Sequence, residues 1–257
     1  MHQTEVYYLP VWIFFDNNLN LLFYMVRNVN ILHIDKISTS HIREKKDQWG
    51  GECMDVNRII MKLDDREPNI LGSNTYHKFA VLLPMIEKED GLHILFEVRA
   101  LNMRRQPGEI CFPGGKIDPE DKNEKYTAIR ETSEELGIHP NKITQVKPLD
   151  YLVTAFGSII YPFFGVIENP EEIVPNESEV AETFTVPLSF FREVKPEIFK
   201  IHFAPMPESS FPFELIIGGE NYNWQIRHVD EYFYKFEDKV IWGMTARILS
   251  YFLELIK

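Results

Sequence analysis

Two apolar segments in the middle of the chain, separated by a polar turn, predict paired β-strands. Residues 79–86 and 93–98 are dominated by apolar side chains, and the turn between them contains Asp90-Gly91. An Asp-Gly turn between two apolar runs is typical of a β-hairpin. Similar apolar runs predict five further strands, at residues 149–154, 159–167, 213–217, 222–226 and 231–236.

Two other segments show helical spacing of their apolar residues. The first covers residues 123–136, where Asp121 stands three residues before Glu124 as in a capping box and Gly137 is placed to end the helix. The second covers residues 241–256 and has apolar residues on one stripe. Strands mixed with helices in this way predict an α/β layered domain.

The two faces of the first helix differ in character. At about 100° per residue, the side that we expect to pack carries Tyr126, Ile129, Ser133 and Leu136. The nearly opposite side, which we expect to be exposed or functional, carries Glu124, Ala128, Glu131 and Glu135. The helix therefore presents acidic side chains away from its apolar stripe.

The acidic side of this helix has the chemistry of a divalent-metal site. Glu131 and Glu135 are four residues apart, so their like charges oppose each other unless a cation lies between them. Mg²⁺ and Mn²⁺ prefer carboxylate oxygens and water, and a diphosphate offers further oxygens to the same ions. Arg130 is placed to pair with a neighbouring carboxylate and fix the glutamates. A solvated acidic face is the alternative interpretation.

The first 53 residues differ from the rest of the chain. Their apolar segments, residues 7–15 and 21–26, are divided by Asp16 and several asparagines, so neither is long enough to span a bilayer. The stretch 49–53 can be encoded by a purine-rich sequence shortly before the codon of Met54, with the spacing of a bacterial ribosome-binding site. We hypothesise that translation starts at Met54 and that residues 1–53 are an upstream reading frame, with a genuine N-terminal extension as the alternative.

Composition favours a protein that handles small anions locally. The 257 residues include 27 Lys and Arg against 39 Asp and Glu, a formal net charge of −12. Such a field repels nucleic acid and anionic membranes. Only Cys53 and Cys111 are present, so no disulfide framework is implied and a cytoplasmic location is expected. Cys111 lies in an apolar segment, where we interpret it as a packing residue rather than a nucleophile.

The glycine loop and acidic helix together resemble the Nudix box. The matching residues are Gly115, Arg130, Glu131, Glu134, Glu135, Gly137 and Ile138. Asp121 stands where the box has its first Glu, eight residues rather than seven separate it from Arg130, and Thr132 replaces the usual aliphatic residue. The first two departures are typical of the coenzyme A pyrophosphatase branch.

This resemblance implies a Nudix fold over residues 54–257: an α/β/α sandwich with a mixed central sheet and a C-terminal helix. It further implies that Glu131 and Glu135 hold Mg²⁺ or Mn²⁺, that Glu134 and Arg130 serve catalysis, and that the Gly114-Gly115 turn contacts the substrate.

A second motif, just upstream, resembles an element of the same branch. It comprises Arg99-Ala100, Arg104, Gly108 and the Phe112-Pro-Gly-Gly115 turn. Its first part departs from the family, because Leu95-Phe-Glu-Val98 stands where Leu-Leu-Thr and one more residue are usual. The resemblance implies hydrolysis of coenzyme A or acyl-CoA. Arg99, Arg104 and Arg105 are the expected phosphate-binding residues, since guanidinium groups bind phosphate oxygens in bidentate fashion.

An acidic cluster further along the chain offers a general base. Nudix enzymes often use a loop glutamate distant from the box, and Glu177, Glu179 and Glu182 are the candidates, with Glu179 preferred by its position. An exposed acidic loop is the alternative. Two other functions stay open: a pyrophosphatase for ADP-ribose or another nucleoside diphosphate derivative, and a nucleotide-binding module without catalysis. The sequence also leaves a homodimer open.

Overall fold

A computed structural model describes residues 56–257, with a boundary between two units after Pro68. The first unit contributes one described helix, α1 (Val56–Asp64). The hypothesis that translation starts at Met54, and the interpretation of residues 1–53, lie outside the described residues and stay predictions. Within the described part of the chain, no helix is both long enough and apolar enough to cross a bilayer.

The second unit is built on an eight-stranded mixed sheet. Its strands are β1 (His77–Lys88), β2 (Gly91–Arg99), β3 (Ile110–Cys111), β4 (Gly114–Lys116), β5 (Ile143–Pro148), β6 (Leu152–Val153), β7 (Ser158–Ile167) and β8 (Val180–Pro187). The main path runs β3-β2-β1-β7-β5, while β4 pairs with β1, β6 with β7 and β8 with β2. Only the β1–β7 pair is parallel. The predicted hairpin of β1 and β2 is confirmed, with Lys88 paired to Gly91 at its turn.

Helices cover both faces of this sheet. Side chains alternate along a strand, so on β1 Leu82 faces a core cluster shared with α2 (Glu124–Leu136), while Leu83 faces the cluster shared with α4 (Gly243–Leu255). Strands buried on both faces read as continuous apolar runs, which is why β1 and β2 show little polar alternation. The predicted α/β/α sandwich with a C-terminal helix is therefore confirmed.

A small antiparallel sheet and a short helix complete the unit. They are α3 (Leu188–Glu193), β9 (Glu197–Phe203), β10 (Arg227–Phe236) and β11 (Lys239–Trp242). Of the strand predicted at residues 149–154, the two residues of β6 (Leu152–Val153) are in a strand in the structure. The C-terminal helix starts two residues later than predicted, because Ile241 belongs to β11.

Two predicted strands, at residues 213–217 and 222–226, are wrong. Residues Phe213–Leu215 form a 3-10 turn after Pro212, and the second segment has no regular structure. Gly218 and Gly219 adopt positive φ and interrupt the extended chain between them. No layer covers these side chains, and Ile217 is 94% exposed. Apolar composition alone thus gave the wrong prediction here.

The predicted faces of α2 need correction. Its buried side chains are Thr127, Ala128, Thr132, Glu135 and Leu136, whereas Tyr126 is 42% exposed. The helix packs its small and acidic side against β1 and the glycine turn, so the side expected to be exposed or functional includes two buried residues, Ala128 and Glu135. Thr132, which replaces an aliphatic residue, satisfies its hydroxyl by donating to the Ala128 carbonyl at 2.7 Å.

The capping-box prediction for α2 is also wrong, although the helix boundaries hold. The N-cap is Asn123, whose side-chain oxygen accepts from the Tyr126 backbone N–H at 2.9 Å. Gly137 ends the helix in the left-handed conformation, as predicted. Asp121 is thereby free for another role, in the site itself.

Candidate active site

The Gly114-Gly115 turn lies directly against two glutamates of α2. The Gly114 backbone N–H donates to Glu135 Oε2 at 2.7 Å. A β-carbon on Gly115 would stand 2.3 Å from the carboxyl carbon of Glu131, so only glycine leaves room for this carboxylate. Pairing of β4 with β1, Gly115 opposite Ala80, fixes the turn on the sheet. Turn and helix thus set the positions of both carboxylates that the sequence predicts to bind metal.

Burial and like charge make these carboxylates hard to ionise without a cation. Glu135 is only 4% exposed. Burial, and then the charge of Glu97, raises its pKa to about 9. Burial also raises the pKa of Glu131, against the opposing effect of Arg130. A bound divalent ion would favour the charged form of both groups.

Arg130 connects three acidic side chains beside the turn. Its guanidinium donates to both oxygens of Asp121, at 3.0 and 2.9 Å, and contacts Glu131 at 2.9 Å and Glu134 at 3.1 Å. Asp121 is nearly buried, and its hydrogen bonds from Arg130 hold its pKa far below the ordinary value. Asp121 therefore anchors Arg130 from outside the helix, and Arg130 in turn orients Glu131.

Replacing Arg130 by lysine is expected to weaken this arrangement, since an ammonium group cannot make the two parallel bonds to Asp121. We expect a loss of about 1.5–3 kcal/mol in the free energy of unfolding, the range for a hydrogen bond to a charged group, together with reduced turnover. Urea unfolding and steady-state rates measure both. Arg192→Lys, at an exposed position of α3, is the matched control. Equal stability of the two variants would contradict the anchoring role.

Glu97 is a site residue that the sequence analysis did not assign. It lies on β2, is 1% exposed, and accepts a hydrogen bond at Oε1 from the Cys111 thiol at 3.2 Å. Its second oxygen, Oε2, is buried without a hydrogen-bond partner. Burial raises the pKa of Glu97 to about 7, and the charges of Glu179 and Glu131 add to the effect. The available signal was a single acid inside the apolar segment 93–98.

Cys111 has the environment of a packing residue. Burial, followed by the charge of Glu97, raises the pKa of its thiol well above the ordinary value. A thiol in this environment is a poor nucleophile.

The three loop glutamates occupy different environments. Glu179 stands immediately before β8, its carbonyl accepts from the Ala100 N–H at 2.8 Å, and its charge acts on Glu97, Glu131 and Glu135. Glu182 instead pairs with Lys239 at 2.8 Å, and Glu177 is exposed. The structure therefore brings Glu179, of the three candidates, to the acidic site.

Of the three predicted phosphate-binding arginines, Arg99 lies close enough to the site for its charge to act on Glu97. Arg99 ends β2, two residues after Glu97, and its Nε is buried without a hydrogen-bond partner. Arg104 and Arg105 are exposed in the loop between β2 and β3. A backbone hydrogen bond from Gly108 N to the Arg99 carbonyl, at 3.0 Å, closes the base of that loop. The loop can thus offer guanidinium groups to a phosphate.

The donor set fits Mg²⁺ or Mn²⁺ in its chemistry. Four carboxylates, Glu97, Glu131, Glu135 and Glu179, act on one another electrostatically, and hard divalent ions take oxygen ligands of this kind. Among residues 56–257, no three His, Cys, Asp or Glu side chains are grouped so that they could hold an ion as they stand, so these carboxylates would have to move together to bind one. Arg130 holds Glu131, and Gly114 N–H holds Glu135. The unpaired Oε2 of Glu97 is a further sign that the site accepts a cation.

The raised pKa of Glu135 predicts how the stability of the metal-free protein depends on pH. The folded state binds this proton more tightly than the unfolded state, so the free energy of unfolding falls as the pH rises from near 4.5 through about 9. We expect urea unfolding in EDTA to show this decline and Glu135→Gln to flatten it. A wild-type slope that the substitution does not change would be inconsistent with these surroundings of Glu135.

Comparison with known proteins identifies the family. A family model described as NUDIX domain matches residues 77–203. Peroxisomal coenzyme A diphosphatase NUDT7 of Mus musculus is 39% identical over 129 residues, which are 50% of this chain and 52% of the relative. Peroxisomal coenzyme A diphosphatase ndx-8 of Caenorhabditis elegans is 40% identical over 111 residues, 40% of this chain and 44% of the relative. The chain thus spans about half the length of these two relatives.

A bacterial relative is covered almost completely. Uncharacterized Nudix hydrolase NudL of Photorhabdus laumondii subsp. laumondii is 31% identical over 194 residues, 76% of this chain and 91% of the relative. The residues that the family model matches, 77–203, include the glycine turn, the acidic helix and the strands that carry them. The expected cytoplasmic location stays a prediction beside relatives whose names place them in peroxisomes.

Proposed function

The chain belongs to the Nudix hydrolase family, and on that premise we propose that it hydrolyses the diphosphate bond of coenzyme A or acyl-CoA. The products are 3′,5′-ADP and 4′-phosphopantetheine or its acyl derivative. One observation carries the proposal: the glycine turn contacts the carboxylates of both Glu131 and Glu135 and so fixes them next to each other. The two coenzyme A diphosphatases that it resembles support the substrate.

The protein's own residues would divide the work as follows. Arg99, Arg104 and Arg105 bind phosphate oxygens of the substrate. Glu131 and Glu135 hold Mg²⁺ or Mn²⁺, which withdraws charge from phosphorus and lowers the pKa of water when bound. Glu179 takes a proton from the attacking water, whose oxygen forms the new bond to phosphorus while the bridging P–O bond breaks.

Arg130 and Glu134 serve as positioning residues in this proposal. Arg130 holds Glu131 in orientation, and Glu134 adds an outer contact to the guanidinium. No covalent intermediate with the protein is needed. The substrate is a small molecule, and the net charge of −12 disfavours nucleic acid as a partner.

A substrate panel tests the proposal. The protein is incubated separately with coenzyme A, ADP-ribose and nucleoside triphosphates, each with Mg²⁺ or Mn²⁺, and products are identified by mass. We expect coenzyme A to be the preferred substrate, giving 3′,5′-ADP and 4′-phosphopantetheine. Preference for ADP-ribose would favour the related pyrophosphatase activity. Binding of nucleotides without any product would favour a non-catalytic module, and either result would overturn the proposal.

A further inference from the structure

The buried carboxylate of Glu97 has one oxygen that the protein does not satisfy. Oε1 accepts from the Cys111 thiol, whereas Oε2 has no hydrogen-bond partner and the residue is almost completely shielded from water. Buried polar atoms are nearly always paired, because an unpaired one retains the cost of its lost hydration. An unpaired carboxylate oxygen in this position therefore points to a ligand.

Strand geometry places Glu97 on the side of the sheet that faces α2. Leu95, two residues earlier on β2, packs in the core cluster that contains Ala128 and Leu136 of α2. Side chains two apart share a face, so Glu97 follows Leu95 toward the same helix. Of the charges that raise the pKa of Glu135, that of Glu97 has the largest effect. The charge of Glu131 in turn raises the pKa of Glu97. Glu97 is thus directed at the acidic site.

No basic residue neutralises Glu97 by direct contact. The charge of Arg99 acts on Glu97, yet no ion pair joins the two side chains within the described residues, and Arg99 Nε is itself unpaired. The acidic groups whose charges act on Glu97 include Glu131 and Glu179, and Glu97 also interacts with Glu135. A bound cation would therefore offset the negative charges of several carboxylates at once.

We propose that Glu97 supplies its Oε2 to the divalent-ion site of Glu131 and Glu135, as an additional carboxylate ligand. This inference rests on the metal-dependent function proposed above and extends its ligand set beyond the Nudix box. Glu97 stands where the resembling branch usually has threonine, so the resemblance itself does not assign this carboxylate to the metal. The Cys111 thiol positions it by holding the other oxygen.

Direct metal binding tests this assignment independently of turnover. Mn²⁺ is titrated into the full chain and the free ion is measured by electron paramagnetic resonance. We expect Glu97→Gln to weaken Mn²⁺ binding by at least about 10-fold, the lower end of what even an outer partner of a metal site contributes. Glu87→Gln, an exposed position on β1, makes the same change in net charge and should leave binding unchanged.

Glu135→Gln separates failure of this inference from failure of the proposed function. If Glu135→Gln weakens Mn²⁺ binding and Glu97→Gln does not, Glu97 is no ligand and the function stands. If neither substitution has an effect, the proposed metal site itself is wrong.

Circular dichroism verifies folding of each variant, and Glu97→Thr provides a second carboxylate-free variant should glutamine perturb the core. In either folded variant, the rise in melting temperature on adding Mn²⁺ should be smaller than in the wild type. An undiminished rise would overturn the assignment.

Discussion

Replacing Glu135 by glutamine is expected to lower turnover of coenzyme A by about 100-fold or more while the protein stays folded. Metal ions contribute several kcal/mol to stabilising a phosphoryl transition state, and each 1.36 kcal/mol is tenfold in rate. Folding should survive because the glutamine oxygen can still accept from Gly114 N–H, as Glu135 Oε2 does at 2.7 Å. Steady-state kinetics and urea unfolding measure the two effects.

Glu87→Gln is the control for the change in net charge, because Glu87 is exposed at the end of β1 and takes no part in the site. Its turnover should match the wild type. Retention of metal-dependent turnover by the folded Glu135→Gln protein would contradict the metal-binding role of Glu135.

Replacing Gly115 by alanine is expected to abolish most turnover with little loss of stability. The new methyl group would meet the carboxylate of Glu131 at 2.3–2.6 Å, and this carboxylate is the mobile end of a long side chain. The backbone of Gly115 does not require a positive φ, so alanine itself introduces no strain. Glu131 can rotate away at small cost to folding, but its oxygens then leave the metal site. Steady-state kinetics measure the loss of turnover, and thermal unfolding measures the change in stability.

Gly114→Ala is the matched substitution, and we expect it to lower the stability of the protein. Gly114 has φ of 147°, and an added β-carbon would meet the Ala80 carbonyl oxygen at 2.4 Å and Val81 Cα at 2.6 Å. These are backbone atoms of β1 that cannot move aside, so stability should fall more than for Gly115→Ala. Equal losses of stability in both variants would contradict this account of the turn.

Local sequence signals were sufficient to predict those parts of the site whose residues are close together along the chain. The C-terminal end of α2 followed from Gly137, and the β1–β2 hairpin followed from Asp90-Gly91. The alignment of Gly115 with Glu131 could be anticipated from the Nudix-box resemblance, because turn and helix are consecutive. These features depend on backbone preferences that neighbouring residues determine.

Features that depend on distant residues could not be predicted in the same way. Which side of α2 is buried depends on the sheet that it meets, so Ala128 and Glu135 were assigned to the side expected to be exposed or functional, and both are buried. Glu97 could be recognised as a site residue only once the fold placed its side chain on the face of the sheet that α2 covers. Asp121 resembled a helix cap in sequence but pairs with Arg130, nine residues further on. In each case a tertiary contact overrides the local pattern.

Formation of 3′,5′-ADP from coenzyme A as a function of added Mn²⁺ tests the central claim most directly. The protein is first freed of metal with EDTA and dialysed, and product is then quantified by mass in a Mn²⁺ titration. The account predicts no product without the ion, saturable product formation as Mn²⁺ is added, and loss of that response in Glu135→Gln. Product formation by the metal-free protein, or the same Mn²⁺ response in Glu135→Gln, would contradict it.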